Sequence, residues 1–188
     1  TVTGLSGSGL VLSLSAGTTQ TLSVSANGSF TFAQSVSNAQ SYAVTVQTQP
    51  SAPTQTCTVT NGTGPAAPAN ITDVAVNCTT NTYTVGGTVS GLAGTGLVLS
   101  LNAGAQTVPV TANGAFNFPT AIASGGTYTV TVQTQPSAPT QTCSLTNASG
   151  SVSSSNVTSI SVSCTTNTYT VGGTVSGLTG SGLVLSLN

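Results

Sequence analysis

The chain has 188 residues, with no Lys, Arg, His, Met or Trp, one acidic side chain (Asp73) and a formal net charge of −1. Charged residues make up 1% of it, whereas Thr (37) and Ser (27) fill about a third; an ordinary soluble domain is about 25% charged. General acid–base catalysis, phosphate clamping and most metal sites need side chains missing here, and nucleic-acid binding needs Lys or Arg against phosphates.

Taken from the start, TVTGLSGSGL leads through glycines into the alternating run Leu10–Leu14. Asn27-Gly28 follows, a pair that tolerates positive φ at both central positions and predicts a hairpin turn. TVQTQPSAPTQTC at 45–57 brings a strand, a loop marked by Pro50 and Pro53, and Cys57; Cys78 follows. Then the sequence begins again. TVSGLAGTGLVLSL at Thr88 and TVSGLTGSGLVLSL at Thr174 restate the first fourteen residues, at offsets of 87 and 86. TVQTQPSAPTQTC recurs unchanged at 131–143, and both cysteines recur 86 residues on, as Cys143 and Cys164. The single extra residue of the first copy lies between Gly17 and Asn27. Solenoid repeats run to about 20–50 residues, so a period near 86 fits one small domain per copy.

The second copy shows period two throughout. Tyr83, Val85, Gly87 and Val89 share a face, and Leu97, Leu99 and Leu101 share another. Val108 and Val110, Phe116 and Phe118, then Tyr128, Val130 and Val132 continue the pattern. Cys143 with Leu145, and Ile160 with Val162 and Cys164, complete seven short strands. No window has apolar spacing i, i+3, i+4, i+7 over a helix length. Pro109 cannot donate to a ladder, so its strand is expected at an edge. The expected class is all-β: tandem seven-stranded antiparallel β-sandwich (Ig-like or prealbumin-like) domains. The expected units are 1–80, a first repeat with a truncated leading strand; 81–166, a second repeat; and 167–188, the first two strands of a third.

GTVSGL, LVLSL, TANGAFNF and YTVTV, spread over 84–132 and copied in 1–46, resemble the prealbumin-like and Cna-B-like sandwiches of bacterial surface proteins. The whole repeat is similar to those of long, tandem, secreted surface or filament proteins. The resemblance implies a Gly-x-Val-x-Gly first strand, an Asn-Gly-x-Phe-x-Phe hairpin and a Tyr-x-Val-x-Val strand. Stalk domains of that kind often carry a Lys–Asn isopeptide bond, which a chain without Lys cannot form. A disulfide is the staple that remains.

Each pair of cysteines is 21 residues apart, and both members lie on the apolar parity of their strands. We expect Cys57–Cys78 and Cys143–Cys164 bridges, each worth about 3 kcal/mol in the chain-entropy model. Bridges between repeats or chains, and metal or redox roles, are the competing readings. Disulfides point to an oxidising compartment, hence an extracellular or cell-surface location. Asp73 sits at the outward parity beside Val74. GLSGSGL, GLAGTGL and GLTGSGL precede strands, whereas phosphate-binding loops precede helices. Ser and Thr abound, but a nucleophile needs a base. No catalytic, cofactor-binding or metal residue is therefore assigned, and no cofactor. Asn-x-Ser/Thr occurs at Asn27, Asn61, Asn70, Asn77, Asn147 and Asn156, the pattern of an N-glycosylation acceptor. Tyr42, Tyr83, Tyr128 and Tyr169 are spaced as core residues, with sugar stacking as the alternative.

These features point to a structural subunit or segment of an extracellular filament or stalk, built head to tail from disulfide-stapled repeats. The alternative is an adhesin module recognising a glycan or surface. The expected partner is the protein itself, as a head-to-tail homopolymer or a longer repeat chain, with glycans under the alternative. Nucleic acid is not expected. Nor is membrane insertion, since the longest apolar run, Gly96-Leu-Val-Leu, stops at Ser100 and a span needs about 20 residues. Because residues 174–188 duplicate 1–15, we expect covalent continuation into identical repeats rather than strand exchange.

Overall fold

A computed structural model describes residues 1–187, and no helix occurs among them. In the first period the strands are β1 (Val2–Thr3), β2 (Leu10–Ala16), β3 (Thr18–Val24), β4 (Ser41–Thr48), β5 (Gln55–Thr60), β6 (Thr63–Pro65) and β7 (Ala75–Thr80). In the second they are β8 (Thr82–Tyr83), β9 (Val85–Ser90), β10 (Leu97–Leu101), β11 (Gln106–Val110), β12 (Gly114–Asn117), β13 (Ile122–Ala123), β14 (Thr127–Thr134), β15 (Gln141–Thr146), β16 (Ser149–Ser151) and β17 (Val157–Thr166). Alternation of Val, Leu and Tyr with Thr and Ser drives this outcome, because it gives each strand one face that gains from leaving water.

The second period forms two four-stranded sheets, ordered β11-β10-β14-β16 and β12-β9-β17-β15, with the short pair β13-β8 beside them. Their inward residues make one core: Leu97, Leu99 and Val130 from the first sheet meet Val85, Ile160 and Val162 from the second. The first period repeats the plan as β3-β2-β4-β6 and β1-β7-β5. Its buried residues divide into two smaller clusters, one around Leu10, Leu12 and Val76 and the other around Leu14, Val44 and Val74. Pro109 lies on β11, at a sheet edge as expected.

Several expectations are corrected. The sheets are not wholly antiparallel: β9 runs parallel to β17, and β1 parallel to β7. Alternation sets which face a side chain takes and says nothing of strand direction. The long stretch between β9 and β17 gives ample length for the crossover that a parallel pair needs. The second period carries ten strand segments rather than seven, because β8, β13 and β16 add short pairs. Neither Asn27-Gly28 nor its second-period equivalent, Asn113-Gly114, is a hairpin turn: the first is followed only by a bridge from Gly28 to Val2, and the second is a corner where the chain leaves β11 for β12 in the opposite sheet. Asn113 Oδ1 accepts from the Leu92 N–H at 2.8 Å and Nδ2 donates to the Leu92 carbonyl at 2.9 Å. Asn27 holds Leu5 in the same way, at 2.8 Å both ways. The β2–β3 hairpin turns at Gly17 (φ 76°), and the β10–β11 hairpin turns through Asn102 and Ala103. The extra residue of the first copy falls in this hairpin.

The two strands expected in 167–188 do not form in 167–187; Asn188 lies outside the described residues. Tyr169, Val171, Leu183, Leu185 and Leu187 are exposed. The equivalents of these residues in the second period pair with strands that come later in sequence, such as β11, β14 and β17.

Candidate functional site

The cysteines meet as expected. Cys57 is bonded to Cys78 and Cys143 to Cys164, each as directly opposed residues of neighbouring antiparallel strands. All four are buried within the cores. A glutamine amide satisfies the backbone of the first cysteine in each pair. Gln49 Oε1 accepts from the Cys57 N–H at 2.7 Å, and its Nε2 donates to the Cys57 carbonyl at 3.0 Å. Gln135 treats Cys143 likewise, at 2.8 and 3.1 Å.

The first two glycine-rich loops, GLSGSGL and GLAGTGL, are structural turns, each sewn down by a buried glutamine. Gln141 Oε1 accepts from the Ala93 and Gly94 N–H groups, both at 2.8 Å, while Nε2 donates to the Gly91 carbonyl at 2.8 Å and to Thr166 Oγ1 at 3.2 Å. Gln55 does the same for Ser6, Gly7, Gly4 and Thr80. A fully satisfied amide tolerates burial, whereas an unpaired one would not. Neither glutamine stood out in the sequence. The signal was the recurrence of a Gln two residues before each first cysteine.

Asp73 is exposed, as its parity predicted. The six Asn-x-Ser/Thr asparagines are exposed as residues, yet several spend their amides on structure. Asn27 grips Leu5, Asn147 donates to the Ser159 carbonyl at 3.0 Å, and Asn156 accepts from the Thr84 N–H at 3.0 Å. Tyr128 is buried, Tyr42 and Tyr83 are half-buried, and Tyr169 is exposed. The Tyr169 phenol is held below the usual tyrosine range by its hydrogen bond with Thr140 and, secondarily, with Asn167.

A groove of about 460 Å³ lies in the first period. Leu14, Phe30, Phe32, Tyr42, Ile71 and Val74 give it an apolar wall. The counterparts of these six in the second period are Leu101, Phe116, Phe118, Tyr128, Val157 and Ile160, and there they pack into the same core as the buried Val85. The consequences are local. Phe116 and Phe118 are 6% and 2% exposed, whereas Phe30 and Phe32 are only half-buried. Residues 114–117 pair with β9 as strand β12, but 28–31 make only a bridge between Gly28 and Val2. The two phenylalanine pairs keep the same edge-to-face geometry, with ring centroids 5.9 and 6.0 Å apart.

A second repeated feature lies where the periods meet. The Thr54 hydroxyl contacts the Tyr83 hydroxyl at 3.0 Å, and the Asn81 N–H donates to the Thr54 carbonyl at 3.0 Å. Thr140 meets Tyr169 at 3.1 Å, and the Asn167 N–H donates to the Thr140 carbonyl at 3.0 Å. Across the first junction the Thr54 N–H also donates to Ser124 Oγ at 2.9 Å.

No group of three or more His, Cys, Asp or Glu side chains that could hold a metal occurs among the described residues. No helix there is long and apolar enough to cross a membrane. Comparison with known proteins finds no matching family model and no matching curated protein.

Proposed function

We propose that this chain is a structural segment of an extracellular bacterial filament or stalk, built head to tail from disulfide-stapled, Ig-like or prealbumin-like β-sandwich repeats. The repeats are 1–80 and 81–166, and 167–188 starts a third. The observation that carries the reading is the junction. Thr54 with Asn81 and Tyr83, and Thr140 with Asn167 and Tyr169, make the same hydrogen bonds one period apart. A rule applied twice in one chain can be applied indefinitely, and that is what a filament requires. The disulfides fit an oxidising, extracellular location. The polar, nearly uncharged surface fits self-association, since sheet edges are ordinarily guarded by Lys and other charges.

The second reading, an adhesin module, has the groove in its favour, because ligand sites are concave and mostly apolar. The same wall is filled by the chain itself in the second repeat, which favours a structural role for it.

The test is electron microscopy of the native material at low salt and at about 1 M, where the Debye length falls to about 3 Å. Fibres present in both conditions are the expected result. Isolated two-bead particles, or fibres that dissolve on adding salt, would overturn the reading. Saturable binding of one glycan by a single repeat would favour the adhesin.

A further inference from the structure

We propose that Gln135, and Gln49 in the first repeat, are edge guards: each amide occupies the free side of an edge strand and keeps strands of other copies from pairing there. This holds whether or not the chain builds filaments.

β15 and β5 stand last in their sheets, so each has one side without a neighbouring strand. Such a side carries a row of main-chain N–H and C=O groups and is a template for another chain. Within the second repeat β15 is the edge most open to this. It is six residues long, whereas β12 and β16 have four and three, and β11 carries Pro109. Proteins ordinarily blunt a long edge with Lys, Pro or a bulge. Gln141–Thr146 has no proline and no charge, and its pairing with β17 runs without a register shift.

The amide of Gln135 fills this place. Its Oε1 accepts from the Cys143 N–H at 2.8 Å, and its Nε2 donates to the Cys143 carbonyl at 3.1 Å. A residue on an adjacent antiparallel strand exchanges the same two bonds with its partner. One side chain thus imitates one residue of a neighbouring strand. Next in the chain, the Pro136 carbonyl accepts from the Gln141 N–H at 3.2 Å. Gln49 and Pro50 repeat the arrangement. Gln49 bonds the Cys57 N–H and carbonyl at 2.7 and 3.0 Å, and the Pro50 carbonyl accepts from the Gln55 N–H at 3.2 Å.

Exposure separates guarding from support. Gln135 and Gln49 are exposed, whereas Gln141 and Gln55 are each only 2% exposed. A main-chain group freed at an exposed edge turns to water, so little stability is at stake. Water, however, leaves freely when a strand arrives, and a tethered amide has to be displaced from two hydrogen bonds. The guard carries no charge, so salt does not screen it. Ends and faces of the uncharged surface stay open to association; what is closed is edge-to-edge pairing at β15 and β5.

The test uses the full 188-residue chain and its variants Gln135→Ala, Gln49→Ala, Gln135→Ala with Ser144→Lys, and Gln106→Ala as a control. Gln106 also makes two main-chain bonds, to Thr120 at 2.8 and 3.1 Å, but at a turn. Light scattering across a concentration series reads mass, hydrogen exchange reads the amides of β15 and β5, and circular dichroism checks folding. Gln135→Ala should associate at about tenfold lower concentration than the parent, the worth of main-chain hydrogen bonds no longer displaced. Its Cys143 amide should exchange freely when dilute and become protected on association. Gln49→Ala should do the same at Cys57, so a folding failure in one repeat leaves the test in the other. Gln106→Ala should match the parent. Ser144 is exposed on β15, and Lys there should return the Gln135→Ala chain to the parent's mass. Variants at Gln135 and Gln49 that associate no more than the parent or the control, that gain mass without protection in β15 or β5, or that ignore the added Lys would overturn the proposal. So would failure of both to fold, which would make the amides supports. End-to-end assembly is common to all these chains and bears on the filament reading alone.

Discussion

The hydroxyl oxygens of Thr140 and Tyr169 stand 3.1 Å apart, and those of Thr54 and Tyr83, one period earlier, stand 3.0 Å apart. The repeated contact fixes Tyr169 although its ring is mostly in solvent.

That contact has a titration signature. Hydrogen bonding to Thr140, then to Asn167, lowers the phenol's pKa below that of free tyrosine. A depressed pKa means that the folded form favours the phenolate. The contact therefore gains strength as pH rises through the folded value, and the gain is complete above the unfolded one. Ultraviolet titration should show one tyrosine ionising early, and Thr140→Val should return it toward the ordinary range. No change in the variant would show that the contact does not persist in solution.

Phe118 and Phe32 occupy equivalent positions with unequal burial. Phe118→Ala should cost about 3–5 kcal/mol, the usual range for a fully buried ring. Phe32→Ala should cost less than half as much in the unassembled chain. Urea unfolding of the two variants makes the comparison, and equal losses would mean that the groove is closed in solution.

Gln141 is worth more than its polarity suggests. Gln141→Ala strips partners from two N–H groups and one carbonyl, and each buried orphan costs about 1–3 kcal/mol. Gln106→Ala, which removes contacts with Thr120 at an exposed turn, should cost well under that. Thermal unfolding that ranked the two alike would contradict the sewing role.

Replacing Cys143 and Cys164 together by Ala should lower stability by about 3 kcal/mol, the chain-entropy value for a loop of this length. The backbone of residue 143 should keep its place through Gln135. Mass mapping of unreduced peptides checks the pairing, using a protease other than trypsin, since the chain has no Lys or Arg. A Cys78–Cys143 peptide would contradict it.

Much of this was legible beforehand because period two is a direct imprint of burial. Leu97–Leu101 was read with its bounds intact, and Pro109 located an edge by its missing donor. Cysteine parity predicted the inward pairing. What alternation cannot carry is direction and sheet membership, so the parallel β9–β17 pair and the corner at Asn113 went unread. The groove escaped for another reason. Phe30 and Phe32 have the same sequence signature as Phe116 and Phe118, and only the presence of a strand like β9 over them separates buried from half-buried.

The parallel pairing of β9 with β17 has a mechanical meaning. The chain comes into the second repeat at the start of β9 and leaves at the end of β17, and these points lie at opposite ends of the shared ladder. In the proposed filament, tension would pull the two strands past each other. The cross-strand pairs from Val85–Val157 to Ser90–Ser163 are strained together, in shear, instead of opening one at a time like a zip. Should they yield, the Cys143–Cys164 bond withholds the 21-residue loop from extension. Such a repeat would resist stretching by a high rupture force and a short release of length.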